Sequence, residues 1–202
     1  MQIIREDALA RLNWKKQCLI KVWMIWERTF NRVFHVRPID KNNEFLSVRV
    51  RKYRGKAIEL ADGEFIRHGD LIAELHLNNE VLLTMQTNAR SSVQLAIQMI
   101  RATASLMPRI LRLIRTEPRY GNVKGVYGIS LIHRGAEQFG FTILDLPKGL
   151  FASATRVYLR SLLFIIHPQG KQRLKTKTEL LVPKIIAIST KELMRRYENE
   201  SN

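Results

Sequence analysis

The sequence predicts an α+β domain, a mixed and mainly antiparallel sheet of about five or six strands packed with three or four long helices. Three observations predict it. Apolar and polar residues alternate with period two over residues 45–53, 71–77 and 123–133, as strands with two unlike faces require. Apolar residues recur at helical spacing over 7–34, 81–115 and 151–166. Turn chemistry at Asp62-Gly63 and His68-Gly69-Asp70 folds neighbouring extended pieces back on one another, because Gly accepts positive φ and Asp bonds its own nearby backbone. With 202 residues, the chain reads as one domain over 1–202, with an N-terminal amphipathic helix within 1–34 and a frayed tail at 198–202.

The first helix places Leu12, Leu19, Val22, Trp23, Trp26, Phe30 and Val33 on one broad face, with Asp7 as its cap. All three tryptophans, Trp14, Trp23 and Trp26, lie here beside Lys15, Lys16, Lys21, Arg28 and Arg32, the mixture of a helix lying in a bilayer interface. A helix that packs its aromatics across the sheet accounts for them equally well. The two readings are compatible, one face on the sheet and the other on lipid headgroups. Cys18, set among apolar residues and without a second cysteine, reads as a packed thiol.

Pro38 and the run Asp40-Lys41-Asn42-Asn43 end this helix and lead into the strand 45–53. Leu46, Val48 and Val50 line one face of that strand, and Ser47, Arg49, Arg51 and Tyr53 the other. A short strand at 57–60 enters the Asp62-Gly63 hairpin. In 71–77, Leu71, Ala73, Leu75 and Leu77 point one way, and Ile72, Glu74 and His76 the other. If the strands 45–53 and 71–77 pair, Arg49 and Arg51 share a face with Glu74 and His76. Asn78-Asn79 ends the strand, and either Asn can cap the helix that follows.

Residues 81–115 read as helix, in one or two pieces, with Pro108 marking a kink or a new first turn. No acid occurs between Glu80 and Glu117, whereas a solvated helix normally mixes signs. Arg109, Arg112 and Arg115 among Ile110, Leu111, Leu113 and Ile114 form the most concentrated basic amphipathic patch. Beyond it come a strand 123–133, a short helix 135–139, a strand 141–146, a helix 151–166 and the basic run Lys171, Arg173, Lys175 and Lys177. A final strand, 184–188, precedes Ser189-Thr190-Lys191-Glu192, which has the spacing of a capping box for a last helix over 192–197.

A 46% hydrophobic and 26% charged composition is ordinary for a folded domain and argues against disorder. The charge is not ordinary: 34 Lys and Arg against 18 Asp and Glu give a net +16 and imply a polyanionic neighbour. No apolar stretch reaches the length of a membrane span, and the opening residues lack the order of a secretory signal, so a cytoplasmic protein is expected, with contact at the inner face of the cell membrane.

The run Tyr53-Arg54-Gly55-Lys56, then Asp62-Gly63, then Gly69-Asp70 leading into Glu74-Leu75-His76-Leu77-Asn78-Asn79, with Phe139-Gly140-Phe141 and His167-Pro168 further on, resembles the YkoP-like family of Bacillus and related bacteria. The resemblance covers most of the chain. Similar domains occur fused to polysaccharide deacetylases, which implies cell-envelope or wall-polymer metabolism by association. It supplies no catalytic residue.

No phosphate-cradling GxxxxGK[ST] or GxGxxG loop, HExxH, GxSxG or zinc-ligand spacing occurs, so no metal or cofactor is expected. Two functional readings stand. The first is a non-catalytic binding module that attaches to an anionic envelope component, lipid headgroup or wall polymer, through Arg109, Arg112, Arg115, Lys171, Arg173, Lys175 and Lys177. It requires that these arginines not be neutralised by acids brought up from elsewhere in the fold. The second is an enzyme of envelope polysaccharide or lipid-linked sugar metabolism, with His76 and Glu74 as acid and base and Arg49, Arg51, Asn78 and Asn79 holding the ligand. The charge also accommodates nucleic acid as a partner, but no recognition motif specifies it.

Overall fold

A computed structural model describes residues 14–130, 133, 135–147, 149, 153–155, 157 and 182–200. In chain order its elements are helix α1 (Trp14–Val33), strands β1 (Arg37–Pro38), β2 (Leu46–Lys52), β3 (Ile58–Glu59), β4 (Phe65–Ile66) and β5 (Leu71–Leu77), and helices α2 (Asn79–Asn88) and α3 (Ser92–Thr116). Strands β6 (Val123–Ser130), β7 (Thr142–Asp145) and β8 (Lys184–Ser189) and helix α4 (Thr190–Tyr197) complete it. Six strands form one sheet in the order β1-β2-β5-β6-β8-β7, and β3 and β4 pair as a separate hairpin. Strands β5 and β6 run parallel, and the other neighbouring pairs run antiparallel. The parallel pair needs a crossover, and α2 and α3 supply it.

The predicted α+β class therefore holds, with six strands in the main sheet. The alternation in the sequence becomes the two sheet faces. One face carries Val48, Ala73, Val126 and Ile188, and α3 lays the fully buried Met107, Ile110 and Leu111 across it, with Leu193 of α4 and Phe141 beside them. On the opposite face the hairpin covers one half, with Leu60 and Ile66 on Ile72, Tyr127 and Ala187. Gly63 shapes its turn and Gly69 the next one, which leads into β5, at φ of 80° and 93°, where a side chain would be strained. The other half of that face is the polar side of β2 and β5, beneath α1.

Three expectations need correction. The helical stretch after Glu80 does break in two, but at 89–91, where the Ser91 hydroxyl accepts the Gln94 N–H and starts α3; Pro108 lies inside a continuous helix. The missing proline N–H strands only the carbonyl of Ala104, which lies on the exposed side, while Leu106, Met107, Ile110 and Leu111 hold both flanks to the core. Strand β6 is described over Val123–Ser130, and His133, predicted to lie in it, is not in a strand. Cys18 is exposed, not packed, because α1 turns that side away from the sheet. The predicted helix 151–166 lies outside the described residues except for 153–155 and 157, which are helical, and the run 171–177 lies outside them altogether. Among the described residues, no helix is long and apolar enough to cross a membrane, and no group of His, Cys, Asp or Glu could hold a metal ion.

Candidate functional site

The register of β2 and β5 sets Arg49 opposite Glu74, Arg51 opposite Ile72 and Ser47 opposite His76. With side chains alternating, Arg49, Arg51, Glu74 and His76 emerge on one face and converge on a single carboxylate. Arg49 Nε donates to Glu74 Oε2 at 2.5 Å, Arg51 Nη2 donates to Oε1 at 2.6 Å, and His76 Nε2 lies 3.3 Å from Oε2. The Glu74 side chain is 11% exposed and the two arginines 18% and 28%, so the carboxylate is nearly out of water and the cations around it keep a partial exposure. Burial would raise the Glu74 carboxyl; the approach of His76 and the hydrogen bond from Arg51 overcome that and hold it well below the usual carboxylate range.

Helix α1 and the sheet fix the cations. The Arg49 guanidinium stands 5.5 Å from the Phe30 ring centre and 5.1 Å from that of Phe34, both supplied by α1 and the turn after it. Phe30 also meets the His76 ring edge-on at 6.0 Å. Arg51 lies 5.7 Å from the centre of the Tyr127 ring, whose hydroxyl is pushed well above its ordinary value by burial. One anion and two permanent cations leave the cluster with a positive excess, greater still whenever His76 is protonated.

The two asparagines turn elsewhere. Asn78 Oδ1 accepts from the N–H groups of Glu80 and Val81, which makes it the cap of α2. Asn79 donates its backbone N–H and its side-chain amide to Glu27 Oε1 of α1, at 3.3 and 3.0 Å. Burial raises the Glu27 carboxyl and these hydrogen bonds only partly offset it. Asn78 and Asn79 thus position α1 and α2 around the cluster and do not face into it.

The model of the YkoP domain family matches residues 16–197. The chain belongs to the YkoP family. Over 187 residues it is 24% identical to a Bacillus subtilis (strain 168) protein described as uncharacterized protein YkoP, a match covering 92% of this chain and 99% of that relative. No solved structure matches.

In this YkoP-family chain the basic patch of α3 is not what its composition implies. Arg109 pairs with Asp40 of the loop before β2, and Arg115 pairs with Glu198 beyond α4. Arg112 is exposed between them. Arg109 and Arg115, expected to face an anionic partner, are thus matched by acids distant in sequence. Lys171, Arg173, Lys175 and Lys177 lie outside the described residues.

Periodicity placed Leu19, Val22, Trp23, Trp26, Phe30 and Val33 on one broad face of α1, and the structure divides that set between two sides. Helix α1 turns Ile20, Trp23 and Phe30 inward and leaves Trp14, Val22, Ile25, Trp26 and Val33 between 59% and 67% exposed. The signal was present in the sequence as a helix apolar on two sides, without anything to say which side faces the sheet. A cleft of about 290 Å³ also opens among Asp62, Thr142, Ser189, Glu192, Arg195 and Arg196. Its polar groups already satisfy one another: Ser189 donates to Asp62, and both arginines grip Glu192.

Proposed function

We propose that this YkoP-family domain is a peripheral binding module that docks on an anionic bilayer surface through the outward side of α1. The observation that supports the reading is the exposed stripe of Trp14, Val22, Ile25, Trp26 and Val33. At 100° per residue these side chains fall within an arc of about 120°. Lys21, Arg28 and Arg32, all exposed, run along one border of it. Such a helix lies flat, its apolar side among the acyl chains, its tryptophans at headgroup depth and its cations on the lipid phosphates. Each cation contributes about 1 kcal/mol near an anionic surface. A wall polymer matches the charge but offers nothing to the apolar stripe, so the bilayer is the better partner. The net +16 of the whole chain acts in the same direction.

Sedimentation with vesicles of phosphatidylglycerol and of phosphatidylcholine tests this. Binding is expected to the first and not to the second, to weaken with salt, and to be lost in Trp26→Ser combined with Val22→Ser. The melting temperature should not fall, because both side chains are already in water. Binding indifferent to lipid charge and salt would overturn the proposal. So would a dimer in solution that the same double substitution dissolves, since the stripe would then be covered by a second copy.

A further inference from the structure

The cluster beneath α1 holds more hydrogen-bond donors than acceptors. Each guanidinium carries five N–H donors and accepts nothing, whereas Glu74 offers two oxygens. After Arg49 Nε and Arg51 Nη2 have been placed on those oxygens and Arg51 Nη1 on the Lys52 carbonyl, donors remain. Arg51 Nε and His76 Nε2 are buried atoms with no hydrogen-bond acceptor among the described residues, the His76 nitrogen lying near Glu74 Oε2 without directing a hydrogen at it. The two terminal nitrogens of Arg49 make no hydrogen bond among the described residues. A buried donor without an acceptor costs about 1–3 kcal/mol, so an acceptor that reaches this place gains what the fold gives up.

The donors are also held in place beforehand. Phe30 and Phe34 flank Arg49, Tyr127 supports Arg51, and Glu74 orients both forks from below. Ordering two long cationic side chains is a large part of what anion binding costs, and here it is already done. The positive excess favours a dianion over a monoanion. A phosphoryl group, with three oxygens pointing in different directions, can accept from the Arg49 fork and from His76 at once, which a flat carboxylate does less well.

We propose that Arg49, Arg51 and His76 form a binding site for a compact phosphate-bearing ligand, with Glu74 as the positioning residue that aims the two guanidinium groups. The site does not depend on the membrane reading. Its phosphate belongs either to a soluble ester or to a lipid headgroup.

Titration of the full chain with inorganic phosphate and with glycerol phosphate at physiological salt, followed by calorimetry and by the His76 ring ¹H–¹⁵N resonances, tests the proposal. Saturable binding that moves the His76 resonances is expected. Arg49→Gln should weaken it by about tenfold or more, the value of a charge-assisted hydrogen bond. Arg101→Gln, an exposed cation of α3, should leave it within about twofold. Trp26→Ser should not change it, which separates this site from α1 docking. If the resonances move with vesicles containing phosphatidic acid but not with glycerol phosphate, the phosphate is lipid-borne; movement with both makes it soluble. His76 resonances unmoved by every probe, or an equal loss of affinity in Arg49→Gln and Arg101→Gln, would overturn the proposal. Should Arg49→Gln fail to fold, the wild-type resonances still decide.

Discussion

Glu74 is the residue on which the polar half of the sheet depends, since two guanidinium groups and an imidazole are arranged around its carboxylate. Removing one partner of a buried charge network costs far more than the network contributes, because the remaining charges stay buried and unanswered. Glu74→Leu should therefore lower the unfolding free energy by about 3–5 kcal/mol in urea titrations. His76→Asn, which takes away one of the groups that hold the Glu74 carboxylate ionised but leaves both guanidinium partners in place, should cost less, about 1–2 kcal/mol. Glu74 also sets a pH dependence. Its carboxyl is depressed in the fold, so its contribution is complete above the ordinary Glu value of about 4.3 and drains away as pH falls below that. Glu192, pushed down to about 2 chiefly by its hydrogen bond from Arg195, adds loss of the same sign over the same window. Urea midpoints measured from neutral pH down to about 3 should fall less steeply in Glu74→Gln than in the wild type. Equal slopes would show that the arginines do not stabilise the carboxylate.

At the scale of elements, the strands were legible and the helix orientations were not. Strict alternation in β2 and β5 sets the side-chain faces, so the meeting of Arg49 and Arg51 with Glu74 and His76 follows from sequence once the two strands pair. Capping chemistry was equally readable: Asn78 caps α2, and the Ser189 hydroxyl accepts the Glu192 N–H, although the Glu192 side chain turns to Arg195 and Arg196 and leaves the box half formed. Helix α1 was different. The half of the sheet that it covers carries arginines, so it docks through Phe30 and the Glu27 tie to Asn79, 52 residues away, and leaves its more apolar side outward. No local pattern reports a partner at that distance. The same holds for Arg109 with Asp40 and Arg115 with Glu198. Helix α3 offers its own test. Pro108 forfeits one main-chain hydrogen bond in mid-helix, so Pro108→Ala should raise stability by about 1–3 kcal/mol, less a small loss from the looser unfolded chain. A fall in stability would mean that the proline ring is needed where it packs.

For the whole molecule, the excess of 34 cations over 18 anions cannot be answered internally, whatever pairs form. The pairs among the described residues are mostly at the surface, where each contributes about 0–1 kcal/mol. Self-repulsion therefore dominates, and moderate salt should raise the melting temperature by screening it. Salt should at the same time weaken attachment to acidic vesicles, so the two curves run in opposite directions. A melting temperature that drops with salt would place the balance with the ion pairs.

Strand β8 is hydrogen-bonded between β6 and β7, yet of the six strands in the sheet it is the last along the chain. A nascent polypeptide that has grown only as far as residue 183 already contains the residues of every other described strand of this sheet and still lacks the rung that joins β7 to the rest. During synthesis β6 thus waits with one side unpaired, a template for wrong partners, until residues 184–189 clear the ribosome.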